Sequence, residues 1–202
     1  MIKKNKGMTI IEILVASFIF FIITTIIFFT LFMTQDYWKV IDNKTEAQLN
    51  CMMSLDKMKV EASVSDIQSF TVINDTNLSA VSFMVPRDYS GDPYYFGNTN
   101  EQLYTSGNLY WKNYLIYYWN KNTAEIKRRA IAINPMTTAI SPLSSLELEG
   151  YCNGSGRVIS LDVINFNANL YSNYVLFTLN NSVTYANKAS AVGMTVRCYP
   201  KN

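Results

Sequence analysis

Residues 1–35 read MIKKNKGMTIIEILVASFIFFIITTIIFFTLFMTQ, and this stretch decides the fold. Lys3, Lys4 and Lys6 lead to Gly7, and then come Met8-Thr9-Ile10-Ile11-Glu12. No charged residue occurs from Ile13 to Gln35, and the 21 residues Ile13–Met33 are nearly all apolar. About 20 apolar residues in a helix span a bilayer, so the pattern predicts a transmembrane helix over 8–35. A secretory signal peptide has a shorter apolar core, about 7–15 residues, and a small-residue cleavage site, which is lacking here. An uncleaved signal anchor accounts for this much. The lysines would stay in the cytoplasm and everything after Asp36 would lie outside.

A plain anchor gives no reason for Gly7 or Glu12. A carboxylate at the head of an apolar helix is costly and usually marks a function. The structural alternative is a glutamate that snorkels to the interface. A short basic leader ending in Gly7, apolar Met8 after it, and Glu12 four residues on resemble the type IV pilin superfamily, the prepilin-like proteins. The resemblance implies a leader over 1–7 and cleavage between Gly7 and Met8 by a membrane aspartyl prepilin peptidase. It also implies methylation of the new amine of Met8 by the same enzyme. One helical turn separates Met8 from Glu12, so amine and carboxylate can pair. The first turn also favours an anion through the helix dipole. In an assembled filament Glu12 would meet the amine of a neighbouring subunit and set its register, the best-attested use of a buried pair.

Composition narrows the rest. The 202 residues allow one membrane segment and one ordinary domain, and 14 Tyr and 11 Phe indicate a globular chain. Without residues 1–7 the side chains comprise 14 basic and 15 acidic groups, a sum of −1, so the +2 of the full chain belongs to the leader. No basic patch points to nucleic acid. There is no histidine. That removes Ser-His-Asp and Cys-His catalysis and the commonest zinc ligand. With no paired-carboxylate motif either, no enzyme activity and no cofactor are expected.

Beyond the membrane the pattern turns amphipathic. Trp38, Ile41, Leu49, Met52, Leu55, Met58 and Ala62 alternate with Asn43, Lys44, Glu46, Gln48, Asp56, Lys57 and Glu61, and neither Pro nor Gly interrupts Met8–Ala62. The helix is therefore expected to run from Thr9 to about Ala62, roughly 80 Å at 1.5 Å per residue. Its outer part, 36–64, must bury its stripe against the rest of the chain. Residues 65–202 favour strands: Ile67–Ile73, Leu78–Val85, Tyr114–Trp119, Glu125–Ile131, Arg157–Asn165, Tyr174–Leu179 and Val192–Tyr199. Pro86–Asn108 and Asn134–Gly156 are expected to be irregular. The plan is α+β, a long helix and a mostly antiparallel sheet.

The hairpin Tyr114–Ile131, with Arg128 and Arg129 near its end, resembles the minor pseudopilin J class and the related minor pilin W class. Many major subunits of the family carry proline at the twenty-second mature residue; here that is Phe29. The resemblance implies a minor subunit of a type II secretion pseudopilus or a type IV pilus. Its partners would be other minor and major subunits, the prepilin peptidase and the inner-membrane assembly platform. An anchored extracytoplasmic binding domain working outside any filament is the alternative.

Three further features carry candidate chemistry. Cys152 and Cys198 would lie outside the cytoplasm, where disulfides persist. A bridge closing about 45 residues adds roughly 3–4 kcal/mol; two buried free thiols are the alternative. Asp88, Asp92 and Asn98 could offer oxygen ligands to calcium, although turn chemistry explains the same residues. Tyr89, Tyr94, Tyr95, Tyr104, Tyr110 and Trp111 form an aromatic stretch, either a partner surface or the cover of a sheet. Arg128 and Arg129 are adjacent in a strand and point to opposite faces.

Overall fold

A computed structural model describes residues 9–86, 104–105, 108–109, 111–185 and 188–200. The chain divides into two compact units, Met1–Asn43 and Lys44–Asn202. Helix α1, Ile10–Ala62, contributes to both.

From Ile10 to Met33, in the first unit, α1 is almost wholly apolar and exposed on every side. Ile10, Phe20, Phe28 and Phe32 are 82%, 72%, 58% and 66% exposed, as a lipid-facing helix requires. Its few hydroxyls are satisfied within the helix. Ser17, Thr24, Thr25, Thr30 and Thr34 each donate to the carbonyl four residues earlier at 2.8–2.9 Å. Phe29 continues the helix where a proline would break it.

In the second unit the outer part of α1 meets two antiparallel sheets. The strands are β1 (Thr71–Asn74), β2 (Leu78–Val85), β3 (Tyr104–Thr105), β4 (Asn108–Leu109), β5 (Trp111–Asn120) and β6 (Glu125–Thr137), then β7 (Arg157–Ser160), β8 (Val163–Leu170), β9 (Val175–Tyr185) and β10 (Lys188–Cys198). A short helix α2, Ser145–Cys152, lies between β6 and β7. The larger sheet has the order β1-β2-β5-β6-β7, the smaller β10-β9-β8, and β3 pairs with β4. Strand alternation splits the larger sheet's side chains between two cores. Val81, Phe83, Leu115 and Tyr117 face inward with Phe166, Phe177 and Leu179 of the smaller sheet and Cys51, Leu55, Met58 and Ala62 of α1. Ala80, Ile116 and Tyr118 face outward and are covered by Leu148 and Cys152 of α2.

α1 is tied to one edge strand of each sheet. Ser54 Oγ donates to the Ile159 carbonyl of β7 at 3.1 Å. Cys198 Sγ of β10 donates to the Lys59 carbonyl at 3.4 Å. A helix along strand edges covers groups that would otherwise invite another strand. Between the sheets, Trp119 Nε1 donates to the Val163 carbonyl at 3.0 Å, and Asn74 exchanges two bonds with the Ala168 backbone.

The α+β plan and the long helix hold, and β2 and the hairpin Tyr114–Ile131 fall where expected, with Tyr114 opposite Ile131. Other elements differ. Ile67–Ser69 is a 3-10 turn capped by Asp66, whose Oδ1 accepts from Gln68 N at 2.7 Å, so the strand starts only at Thr71. Arg157–Asn165 is two strands in different sheets, because Asp162 turns the chain with φ 57°, a left-handed conformation Asp tolerates better than most residues. Part of Asn134–Gly156 is helical, since Ser144 and Glu147 form a capping box. The buried stripe of α1 is Ala47, Cys51, Ser54, Leu55, Met58, Glu61 and Ala62, whereas Leu49 and Met52 are about half exposed.

Candidate functional site

A pair of reciprocal hydrogen bonds opens α1. Thr9 N donates to Glu12 Oε2 at 2.8 Å, and Glu12 N donates to Thr9 Oγ1 at 3.3 Å. This reciprocal pair is a capping box, and it satisfies two of the donors that a helix start leaves unpaired. The Glu12 carboxylate is thereby held at the head of α1. Gly7 and Met8 lie outside the described residues. The Thr9-x-x-Glu12 spacing is a legible capping signal, and reading Glu12 only as a partner for an amine misses it.

At the far end of α1 the second unit holds a buried polar network. Glu61 comes from the last turn of the helix, Tyr117 from β5 and Arg128 from β6, at 2%, 0% and 5% exposure. Arg128 Nε donates to Glu61 Oε2 at 3.0 Å, and Tyr117 OH donates to the same oxygen. Register places Tyr117 directly opposite Arg128, so both reach the inward face together. Burial, then the nearby Glu61 charge, push the Tyr117 hydroxyl well up. Burial opposes the Arg128 charge, but the Glu61 hydrogen bond and carboxylate outweigh it and hold the guanidinium pKa up. The network ties the last turn of α1 to β5 and β6 through one carboxylate oxygen. Glu61 sits among the polar residues of the amphipathic pattern, and nothing local marks it as buried.

Arg129 points the other way, as strand alternation requires. Its Nη1 donates to the Tyr151 carbonyl at 2.8 Å and its guanidinium lies over the Tyr151 ring at 5.6 Å. This cation closes the C-terminal end of α2. A side chain at Gly154 would run into it.

Opposite its buried stripe, α1 carries an exposed apolar one. Leu49, Met52, Met53 and Val60 are 53%, 51%, 59% and 47% exposed. Met53 and Val60 also form one wall of a groove of about 450 Å³ against Val158 and Ile159 of β7.

The three thiols are free and buried. A Cys152–Cys198 bridge is not formed, for a topological reason. Cys152 packs on the outer core under α2, and Cys198 packs on the inner core by α1, with the larger sheet between them. Cys51 is likewise a buried apolar side chain. Burial pushes the Cys152 thiol up to about 12 and the Cys198 thiol up to about 11. Thiols in an unfolded chain lose their protons near pH 9, so above that pH the unfolded state binds fewer protons than the folded one and stability falls. The melting temperature is expected to be level from about pH 7 to pH 8.5 and to drop steadily from about pH 9 to pH 12. Cys152→Ala is expected to flatten that drop, as read by circular dichroism melts under reducing conditions.

Asp88, Asp92 and Asn98 lie outside the described residues, as do Tyr89, Tyr94, Tyr95 and Tyr110. Trp111 is 3% exposed and therefore covers a sheet face. Among the described residues no cluster of three or more His, Cys, Asp or Glu could hold a metal ion.

Residues 2–28 match the family model of the prokaryotic N-terminal methylation motif. No curated protein and no solved structure matches the chain. The motif is a type IV pilin-like signature and points to a structural subunit that assembles with other pilins and is processed by a prepilin peptidase. Among the described residues one helix, α1, is long and apolar enough to cross a membrane, which fits a single-pass anchored protein.

Proposed function

We propose that this chain is a minor pseudopilin or minor pilin. It would be a structural subunit in the tip or initiation complex of a type II secretion pseudopilus or a type IV pilus. The observation that carries this is the frame Gly7-Met8 with Glu12 at the head of a bilayer-length helix, inside the matched motif. Prepilin peptidase cuts between Gly7 and Met8 and methylates the Met8 amine. Lys3, Lys4 and Lys6 keep the leader cytoplasmic and the β-rich unit lies outside. The subunit waits in the inner membrane and is then drawn into the filament, where Glu12 meets the Met8 amine of a neighbour.

One feature supports a minor role and a second supports packing against neighbouring subunits. Phe29 leaves the apolar helix unbroken, where many major subunits have proline. The exposed Leu49, Met52, Met53 and Val60 give the outer part of α1 a second apolar face, suited to a neighbouring helix. The test is N-terminal mass spectrometry of the protein from its native cells. A mature chain that begins at N-methylated Met8 is expected; a chain that still begins at Met1 would falsify the proposal.

A further inference from the structure

The outer face of the smaller sheet differs in kind from the rest of the second unit. Phe177 and Leu179 of β9 are buried in the core, so Thr178 and Asn180 stand on the opposite face. Register aligns Thr178 between Asn167 of β8 and Thr195 of β10, and Asn180 between Asn165 and Gly193. The Thr178 and Thr195 hydroxyls lie 3.3 Å apart. The Asn180 amide lies across Gly193, where any side chain would collide with it. These two rows make a patch of amides and hydroxyls.

One end of the patch is an aromatic platform. Tyr171 and Tyr174, from the turn between β8 and β9, stack at 4.5 Å, and Tyr199, beyond β10, lies 5.7 Å from Tyr174. The Arg197 guanidinium sits over the Tyr174 ring at 5.6 Å. Tyr171 and Tyr199 remain 45% and 56% exposed. Tertiary structure gathers these rings from two segments of chain. No Asp or Glu occurs from Val163 to Asn202, and among the described residues Arg197 has no carboxylate partner.

Each part of this face matches one part of a sugar. A pyranose ring offers a face of C–H groups, which stacks on an aromatic ring, and a rim of hydroxyls. Amides and hydroxyls donate and accept at once and so match those hydroxyls. A guanidinium that no carboxylate of the described residues pairs with can take one from a ligand. From Tyr174 to Asn180 the strand runs about 20 Å, the length of a chain of several sugars rather than one. A protein partner fits less well, because interface centres are apolar and this patch is not.

We propose that this face binds an acidic polysaccharide, with sugar rings on the tyrosines, a sugar carboxylate on Arg197 and hydroxyls on the Asn and Thr rows. The surface uses neither Glu12 nor any other residue of α1.

The test uses the full chain in detergent micelles, titrated calorimetrically with alginate and hyaluronate fragments. Dextran serves as the neutral sugar and polyglutamate as a polyanion without sugar rings. Saturable binding of the uronates is expected, with dextran and polyglutamate each weaker. Arg197→Gln is expected to lower uronate affinity about tenfold and to close the gap to dextran. Tyr171→Ala with Tyr199→Ala is expected to weaken every sugar about tenfold, with the sheet intact by circular dichroism. Equal affinity for polyglutamate and alginate would reduce the site to charge attraction and overturn the proposal. So would an absence of uronate binding at millimolar sugar. Binding of another prepilin-like subunit through these tyrosines, without sugar binding, would make the face a protein interface instead.

Discussion

Glu61→Ala is expected to destabilise the β-rich unit by about 3–5 kcal/mol, because it leaves the Arg128 guanidinium buried beside Tyr117 without its carboxylate. For a unit of this size that is a fall in melting temperature of about 10 °C. The cost arises from an uncompensated charge and not from the net worth of the pair. Replacing all three members by apolar residues, Glu61→Leu with Arg128→Met and Tyr117→Phe, leaves no buried group unpaired and is therefore expected to regain most of the stability or exceed it. Tyr117→Phe removes one donor and should cost only about 1 kcal/mol. Urea unfolding of the parent and these three variants gives the comparison directly. Stability of Glu61→Ala within about 0.5 kcal/mol of the parent would mean that the network carries no weight.

The second large effect is on assembly. Glu12→Ala is expected to leave cleavage at Gly7–Met8 largely intact and to lower incorporation into filaments about tenfold or more. A charge pair in a low-dielectric setting discriminates strongly between registers, and removing one member leaves the Met8 amine alone. The capping box adds a second consequence, since the same substitution strips the Thr9 N–H of its acceptor. Glu12→Gln separates the two roles. It keeps an oxygen for the cap but no charge for the amine, so it should restore the helix start and not assembly. Quantitative immunoblotting of sheared filaments against whole-cell protein reads the outcome. Normal incorporation of Glu12→Ala would remove the proposed mechanism.

Local pattern makes the membrane helix, the hairpin β5–β6 and strand β2 legible, because each rests on a period that neighbouring residues set. Tyr114–Trp119 is an aromatic run that a polar turn joins to Glu125–Ile131, and the two pair accordingly. The failures have equally physical causes. Leu49 and Met52 are apolar and helical in spacing, but the core meets α1 on the face of Cys51, Leu55 and Met58. An apolar stripe announces burial or assembly without saying which. Arg157–Asn165 shows no break in apolar pattern at Asp162, so the pattern predicts one strand where the chain in fact changes sheet. α2 is only eight residues long, and Ser144-x-x-Glu147 is its one strong sign.

What the sequence alone determined is the end of the chain whose chemistry is local: three lysines, Gly7, Met8, Glu12 and a helix that neither Pro nor Gly interrupts. Spacing along one helix is a short-range property, so it can be read without a fold. What only the tertiary structure decided is everything that joins distant segments. Glu61 meets Arg128 across 67 residues of chain, and Cys152 is kept from Cys198 by a sheet. Three tyrosines and an arginine converge at one end of β8–β10. Such contacts depend on strand register and on which face of a sheet each residue takes. One residue of slip reverses every face, and no local pattern fixes that choice before the sheets pack.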